Sequence, residues 1–197
     1  MSKIKLSPGT LTAPVPPTLV SCGTVEAPNA FTVAWTGIIN TKPPMTYISV
    51  RPSRFSYNLI KDSGEFVINL PPSTLVRSVD LCGVKSGRDV DKFKTFGLTA
   101  EKSFEISSPS IAECPVSIEC RVKDIIPLGT HDMFISDIVG ISVKEELINK
   151  NGRLCLDKAG LMAYIHGEYF TIGKKIGSFG YSVKKSSKKP KGKHDKK

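Results

Sequence analysis

The chain has 197 residues, 40% of them hydrophobic and 23% charged, and its formal net charge at pH 7 is +10. This composition is typical of a globular protein and excludes a disordered one, and no apolar run approaches the roughly 20 residues that a membrane helix needs. The N-terminal segment lacks the apolar stretch of about 7–15 residues found in signal peptides, so we expect a cytoplasmic protein.

The positive charge is concentrated at the C-terminus. Residues 184–197, KKSSKKPKGKHDKK, contain eight lysines and one aspartate, whereas residues 1–183 contain 20 basic and 17 acidic residues. Such a tail is typically disordered and contacts anionic surfaces without specificity. Because no aromatic residues accompany the lysines, we expect no specific recognition of nucleic acid. The sequence therefore divides into a Pro-rich extended arm (1–17), a folded domain (18–183) and a basic tail (184–197).

In chain order, the sequence predicts strands and two short helices. Alternating or continuous apolar patterns bounded by Gly and Pro predict the strands, and Gly64 is expected to end the first helix. The strands are expected at 18–25, 30–37, 45–50, 65–70, 116–122 and 132–146, and the helices at 55–64 and 73–83. Ser73 is a candidate N-cap, Gly140 a candidate bulge or close backbone approach, and residues 164–182 an irregular set of loops. Strands at short spacing without βαβ alternation predict an antiparallel barrel with helices packed on it.

Five cysteines stand at positions 22, 82, 114, 120 and 155, without a Cys-x-x-Cys spacing. The odd number and the spacing argue against a disulfide framework and against a structural zinc site. We interpret the cysteines as reduced thiols and expect no metal.

The segment SVRPSRFSYNLI, residues 49–60, is the first candidate site. Arg51 and Arg54 flank Pro52, serines lie on both sides, and a helix beginning near 54–55 would direct free N–H groups to the same place. Guanidinium groups, hydroxyls and a helix N-terminus together suit a phosphate. The alternative is a solvated loop with two surface arginines, and the local sequence does not separate the two interpretations.

The loop SGRDVDKF, residues 86–93, carries four charges of both signs in five positions. Gly87 permits a close approach of the backbone to a ligand, and Lys92 can reach a phosphate. Asp89 and Asp91 are expected to hold the cations Arg88 and Lys92 in place. The simpler interpretation is an ordinary charged turn.

Two further segments contribute candidates. In NAFTVAWTG, residues 29–37, a small and hydroxyl-rich strand face can accept a flat ring, or can simply meet water; Trp35 is interpreted as a core residue. In GTHDMF, residues 129–134, His131 is a candidate proton donor near a reduced cofactor. Asp132 points the other way on an extended chain, so the two make a poor acid–base pair.

Taken in order, these segments resemble the flavin reductase-like, flavoredoxin-type family of FMN-binding split barrels. The resemblance runs from about residue 14 to about residue 183. It is carried by PVPPTLVSC, NAFTVAWTG, KPPMTYISVRPSRFSYNLIKDSGEFVINLP, DLCGVKSGRDVDKF, GLT, ECPVSIECRV, GTHDMFISDIV and YFTIGKKIGSFGYS. It implies a mainly β fold with flanking helices, a Greek-key split β-barrel that works as a homodimer and binds FMN non-covalently near the dimer interface.

The resemblance also implies which residues bind the flavin. The ring would lie against the strand at 32–36, the ribityl-phosphate end would meet the 49–56 segment, and the 86–92 loop would close over the flavin. The implied cofactor-binding residues are Asn29, Thr32, Val33, Ala34, Trp35, Thr36, Ser49, Val50, Arg51, Arg54, Phe55, Ser56, Ser86, Gly87 and Lys92. His131 would act on the nicotinamide side or handle a proton, but Thr130 replaces the aspartate that many relatives have before this histidine.

The function implied is that of an FMN-dependent oxidoreductase. Its reductant would be NADH or NADPH, as in an NAD(P)H:flavin reductase, or a protein partner, as in flavoredoxin-like electron transfer. The flavin supplies the redox chemistry, so no protein nucleophile is needed. One alternative is a non-catalytic protein for FMN storage or sensing, which would bind FMN without being reduced by nicotinamide. Another is association with nucleic acid through the tail, which deletion of residues 184–197 would test.

Overall fold

The structure is a computed structural model that describes residues 1–183; the tail expected at 184–197 lies outside the described residues. The described part forms eleven strands and three α-helices. The helices are α1 (Phe55–Ser63), α2 (Val76–Val84) and α3 (Lys92–Phe96). The strands are β1 (Thr18–Gly23), β2 (Pro28–Val33), β3 (Thr36–Thr41), β4 (Pro44–Val50), β5 (Glu65–Leu70), β6 (Ala100–Glu101), β7 (Ser110–Ile111), β8 (Val116–Pro127), β9 (Asp132–Val143), β10 (Met162–Ile165) and β11 (Glu168–Thr171).

Seven strands form one antiparallel sheet in the order β2-β1-β5-β8-β9-β4-β3. Its edge strands β2 and β3 are consecutive in the chain and are separated by only Ala34 and Trp35. The sheet must therefore curl until its edges meet, and the Ser49 N–H donates to the Trp35 carbonyl at this seam (3.0 Å). The predicted mainly β fold with flanking helices is confirmed.

Strands β1 and β2 are buried on both faces because the chain covers each face with apolar side chains. One face points into the barrel, where Val20 and Phe31 pack with Phe66 and Phe134. The other face lies under α2 and α3, where Leu19 packs with residues of both helices. This packing holds α2 and the loop that follows it beside the seam.

Three local predictions were wrong. Residues 30–37 are not one strand, because the chain leaves the sheet at Ala34 and Trp35 between β2 and β3. Ser73 does not cap α2, which is preceded by a 3₁₀ turn over Ser73–Leu75 and has no side-chain cap. Residues 164–182 are not wholly irregular, because β10 and β11 form a hairpin there.

The Gly140 prediction is confirmed. The register between β8 and β9 shifts beside it, since Glu119 pairs with Gly140 whereas Cys120 pairs with Ile138. A Cβ at position 140 would lie 3.2 Å from Cδ of the buried Glu119 side chain. That carboxylate accepts hydrogen bonds from the N–H groups of Phe104 (3.0 Å) and Glu105 (2.7 Å), so the bulge makes room for a group that fixes a loop.

Two buried serines on neighbouring strands provide a test of the core. Within residues 1–183 the Ser136 hydroxyl has no hydrogen-bond partner, whereas Ser117 Oγ donates to Asn69 Oδ1 at 2.8 Å. A buried hydroxyl without a partner adds a desolvation cost. Ser136→Ala is therefore expected to leave the free energy of unfolding unchanged or to raise it by up to about 1 kcal/mol. Ser117→Ala is expected to lower it by about 1–3 kcal/mol, as measured by urea denaturation; an equal loss in both variants would contradict this.

All five cysteines are free thiols. Burial raises the pKa of Cys22 and Cys82 to about 11, and that of Cys114 and Cys120 to about 12. These four thiols are therefore poor nucleophiles at neutral pH.

No helix within residues 1–183 is long and apolar enough to cross a membrane.

Candidate functional site

A cleft of about 510 Å³ lies beside the seam, between the sheet, helix α2 and the β10–β11 hairpin. Its size is typical of a small-molecule site. Nine of the residues predicted from the sequence line it, eight of them as cofactor-binding residues. They are Thr32, Val33, Ala34, Trp35, Ser49, Val50, Arg51, Arg54 and His131.

A smaller cavity of about 230 Å³, here called the annex, continues from the cleft. The two share Phe31, Arg51, Arg54 and Val84 as lining residues. The annex is lined by five more of the predicted residues, namely Phe55, Ser56, Ser86, Gly87 and Lys92. The four segments that the sequence suggested separately therefore meet around one continuous space.

The N-terminus of α1 faces the annex with its arginine. Arg54 is the N-cap residue, and no side chain within residues 1–183 caps this helix. The Tyr57 N–H already donates to the Arg54 carbonyl at 3.1 Å, so the N–H groups available to a ligand are those of Phe55 and Ser56. Arg54 Nη1 donates to the Gly83 carbonyl at 2.9 Å, which holds the guanidinium between α1 and α2. The arrangement suits an anion, because guanidinium and helix N-terminus both favour negative charge.

Lys92 is a buried cation that lines the annex together with Arg54. Its side chain is only 4% exposed, and Nζ donates to the Cys82 carbonyl at 2.9 Å. The ion pairs found within residues 1–183 are Arg121–Glu65 and Lys123–Asp137, so no carboxylate of the described chain neutralises Lys92. Burial lowers the pKa of Lys92, and the nearby Arg54 lowers it further. Such a cation is costly to bury and needs a partner.

The loop over residues 86–92 is held differently from the prediction. Asp89 and Asp91 form no ion pair with Arg88 or Lys92, and Asp91 instead caps α3 by accepting the Lys94 N–H at 3.1 Å. Arg88 Nη1 donates to the Ser53 carbonyl at 3.2 Å. The predicted pairing of the aspartates with Arg88 and Lys92 was wrong, because both cations donate to backbone carbonyls of other segments.

Gly87 is required by close packing. A Cβ at this position would lie 2.5 Å from Phe55 Cδ1 and would also overlap Asn29 Oδ1. Asn29 is itself buried behind the loop, where Nδ2 donates to Ser56 Oγ at 2.7 Å. The loop is therefore seated directly on the start of α1.

Two predicted residues do not line the cleft or the annex. Asn29 lies behind the loop, as described above. Thr36 lines a neighbouring groove that shares Ala34, Trp35 and Ser49 with the cleft, and its Oγ1 donates to the Tyr47 carbonyl at 2.6 Å. Direct contact of Asn29 with a bound molecule would require movement of the loop.

Trp35 and His131 lie together at the edge of the cleft. Trp35 is 42% exposed, so its interpretation as a core residue was wrong; it leaves the core where the chain passes from β2 to β3. The two rings lie 4.6 Å apart at 43°. Arg51 Nε donates to His131 Nε2 at 3.4 Å, and burial, followed by the charges of Arg51 and Arg54, lowers the pKa of His131.

We expect His131 to be neutral at pH 7 and to titrate below its usual value of about 6.5. Arg51→Gln should raise the pKa of His131, because a positive charge and a donor to Nε2 are removed. NMR titration of the imidazole signals checks this, with His131→Asn for assignment and the exposed His166 as an internal reference. An unchanged His131 titration in Arg51→Gln would contradict it.

The sequence reasoning missed one side of the cleft. Helix α2 contributes Asp80, Gly83 and Val84, and the hairpin contributes Tyr164 and Tyr169. The hairpin turn has positive φ at His166 (47°) and Gly167 (97°), typical of a two-residue turn. The sequence YIHGEY therefore held a hairpin signal, but nothing local indicates that the hairpin reaches the cleft.

Comparisons with known proteins identify the family and the fold. The family model described as "flavin reductase like domain" matches residues 11–173. The structure is similar to the flavoredoxin of Desulfovibrio vulgaris (Miyazaki F), with a TM-score of 0.86, 29% identity, and coverage of 93% of this chain and 100% of that one. It is also similar to the flavoredoxin of Methanosarcina acetivorans, with a TM-score of 0.82, 27% identity, and coverage of 93% and 100%.

A third similar structure concerns the fold. It is a protein from Shewanella frigidimarina described as a flavin reductase with a split barrel domain; the TM-score is 0.75, the identity 19%, and the coverage 85% of this chain and 86% of that one. The expected split-barrel fold is confirmed. The match of the family model over most of the chain places the protein in the flavin reductase-like family.

Proposed function

We propose that this protein is an oxidoreductase that binds FMN non-covalently in the cleft and annex. The observation that carries the proposal is the buried Lys92, which lines the annex without a carboxylate partner in the described chain. A phosphate would provide the missing negative charge. Membership of the flavin reductase-like family supports a flavin as the molecule that carries it.

The charged groups suit one end of FMN in this proposal. Arg51, Arg54 and Lys92 would bind the phosphate together with the α1 N-terminus, with Ser49 and Ser56 as hydroxyl partners. Charge-assisted hydrogen bonds of this kind are stronger than neutral ones. Ser86 and Gly87 would close the annex over the ribityl chain.

The less charged part of the cleft suits the flavin ring. Thr32, Val33, Ala34 and Trp35 form the seam wall, and Val50 extends it. We also include Asn29, Thr36 and Phe55 in the proposed site. Thr36 adjoins the seam wall, and Asn29 and Phe55 pack against the loop at Gly87. When bound, FMN supplies hydride or single-electron chemistry, while the protein orients it and excludes water.

His131 would act at the open edge of the cleft. As a neutral imidazole that accepts from Arg51, it can hold or release a proton at Nδ1, which lies 3.0 Å from Thr130 Oγ1. We propose that this residue handles a proton on the side where NADH, NADPH or a protein electron donor approaches.

A homodimer is part of the proposal. The edge strand β3 exposes Ile38 (64%) and Ile39 (45%), and within residues 1–183 this strand pairs with β4 alone. Edges of this kind are usually covered, and a second copy would cover this one beside the cleft. We also propose a cytoplasmic location for this assembly.

A visible spectrum tests the proposed function. Purified protein is mixed with FMN, desalted and examined for a flavin band, and then treated anaerobically with NADH and, separately, with NADPH. A retained band that bleaches is the expected result. In a second outcome, a retained band bleaches with dithionite but with neither nicotinamide. The remaining functions would then be electron transfer from a protein donor, or storage and sensing of FMN. No retained band and no FMN-dependent NADH oxidation would overturn the proposal.

A further inference from the structure

The hairpin side of the cleft is aromatic. Tyr164 on β10 and Tyr169 on β11 are direct cross-strand partners, and both line the cleft. Their rings lie 5.3 Å apart at 59°. Tyr164 is held further by two backbone hydrogen bonds with Val15, so the N-terminal arm fixes this wall in place. Aromatic side chains in such a position offer surfaces for a planar molecule.

Asp80 gives this wall a charge. It is the only carboxylate among the described residues that line the cleft or the annex. The Tyr169 hydroxyl donates to Asp80 Oδ1 at 3.3 Å. Burial, followed by the charge of Asp80, raises the pKa of Tyr169 to about 12, so the phenol keeps its proton at neutral pH.

The cations lie elsewhere in the same space. Arg51 and Arg54 line the part of the cleft that continues into the annex, and the annex adds Lys85, Arg88 and Lys92. The cleft therefore has a strongly positive end and an end that carries two phenols and one carboxylate. A molecule with an anionic group would be drawn to the first end and repelled by the second.

We propose that Tyr164, Tyr169 and Asp80 form a second ring-binding subsite that accepts planar rings which are neutral or positively charged and disfavours planar carboxylates. The proposal rests on the proposed function, in which the cationic end holds the phosphate of FMN. It goes further than that function, because it proposes that the negative charge of Asp80 decides which ring binds at the second subsite. A pyridinium ring fits this chemistry because cations are attracted both to aromatic faces and to a carboxylate.

Two small probes of similar size test the selection. 1-Methylnicotinamide is a planar cation and benzoate is a planar anion. Each is titrated into protein without FMN and into protein loaded with FMN, and the ring signals of Tyr169 are followed by NMR, with Tyr169→Phe for assignment. We expect the dissociation constant of 1-methylnicotinamide to be about two- to fivefold lower than that of benzoate. Asp80→Asn should remove most of this preference, and the matched change Asp157→Asn, on an exposed turn away from the cleft, should retain it.

The outcomes separate this inference from the proposed function. Equal binding of the two probes, or a preference unchanged in Asp80→Asn, would overturn the subsite even if FMN is retained. Loss of FMN affinity in Asp80→Asn would also overturn it, because the wall would then belong to the flavin itself. If FMN is not retained but the probes shift the Tyr169 signals with the expected preference, the subsite stands and the proposed function fails.

Discussion

Arg54→Ala is expected to weaken FMN binding by roughly 10- to 150-fold. The guanidinium lines both the cleft and the annex, and its loss would remove a charge-assisted hydrogen bond worth about 1.5–3 kcal/mol. Arg54 is exposed, and among the described residues its side chain bonds only to the Gly83 carbonyl, so the fold should tolerate the change. Fluorescence titration of FMN measures the dissociation constant.

Arg153→Ala is the matched control for this prediction. Arg153 is also exposed but lines neither cavity, so its loss should leave the dissociation constant for FMN unchanged. An unchanged affinity in Arg54→Ala would remove Arg54 from the phosphate site. Equal weakening in both variants would indicate a long-range charge effect instead of a contact.

Lys92→Met is expected to change FMN binding and stability in opposite directions. Without FMN, the variant should be more stable by about 1–3 kcal/mol, because a buried charge without a carboxylate partner is replaced by an apolar side chain. FMN binding should weaken at least about tenfold, because the phosphate loses a desolvated cation. Urea denaturation and fluorescence titration measure the two effects.

The pH dependence provides a second measurement on the same variant. Burial lowers the pKa of Lys92 in the folded protein, so between that value and about 10.4 the unfolded chain binds more protons. The wild-type protein should therefore gain stability relative to Lys92→Met as the pH rises through this window. The stability advantage of the variant should be largest at neutral pH and should shrink towards pH 10.4.

Lys94→Met is the control on the same helix, since Lys94 is exposed. It should alter neither the FMN affinity nor the pH dependence. A Lys92→Met protein that is less stable than the wild type at neutral pH would mean that the lysine is already well compensated. Lys92 would then not require an anion as its partner.

Local signals in the sequence predicted the elements that local chemistry determines. The strand expected at 65–70 is β5 (Glu65–Leu70), and the first helix ends where Gly64 adopts a left-handed conformation with φ of 69°. The segment that we propose to bind phosphate could also be identified from the sequence, because arginines, hydroxyls and a helix start are neighbours in the chain. These features depend on residues within one or two turns of each other.

The parts that were missed depend on distant contacts. Trp35 continues the alternation of Phe31 and Val33, and only the closure of the sheet turns it out of the core. Asp89 and Asp91 are near the cations in sequence, yet Arg88 and Lys92 bond to carbonyls 35 and 10 residues away. The Tyr169–Asp80 contact joins residues 89 positions apart. No local pattern encodes separations of this kind.

The seam at Ala34 and Trp35 has a kinetic consequence. The wall of the cleft is complete only once the two edges of the sheet, at β2 and β3, have come together. This requires the long-range pairing of β4 with β9 and of β5 with β8. Such pairings are slow to form in folding, because the loops between them must close first. A flavin should therefore leave the refolding rate nearly unchanged and slow unfolding, so that it prolongs the lifetime of the native state without guiding the chain towards it.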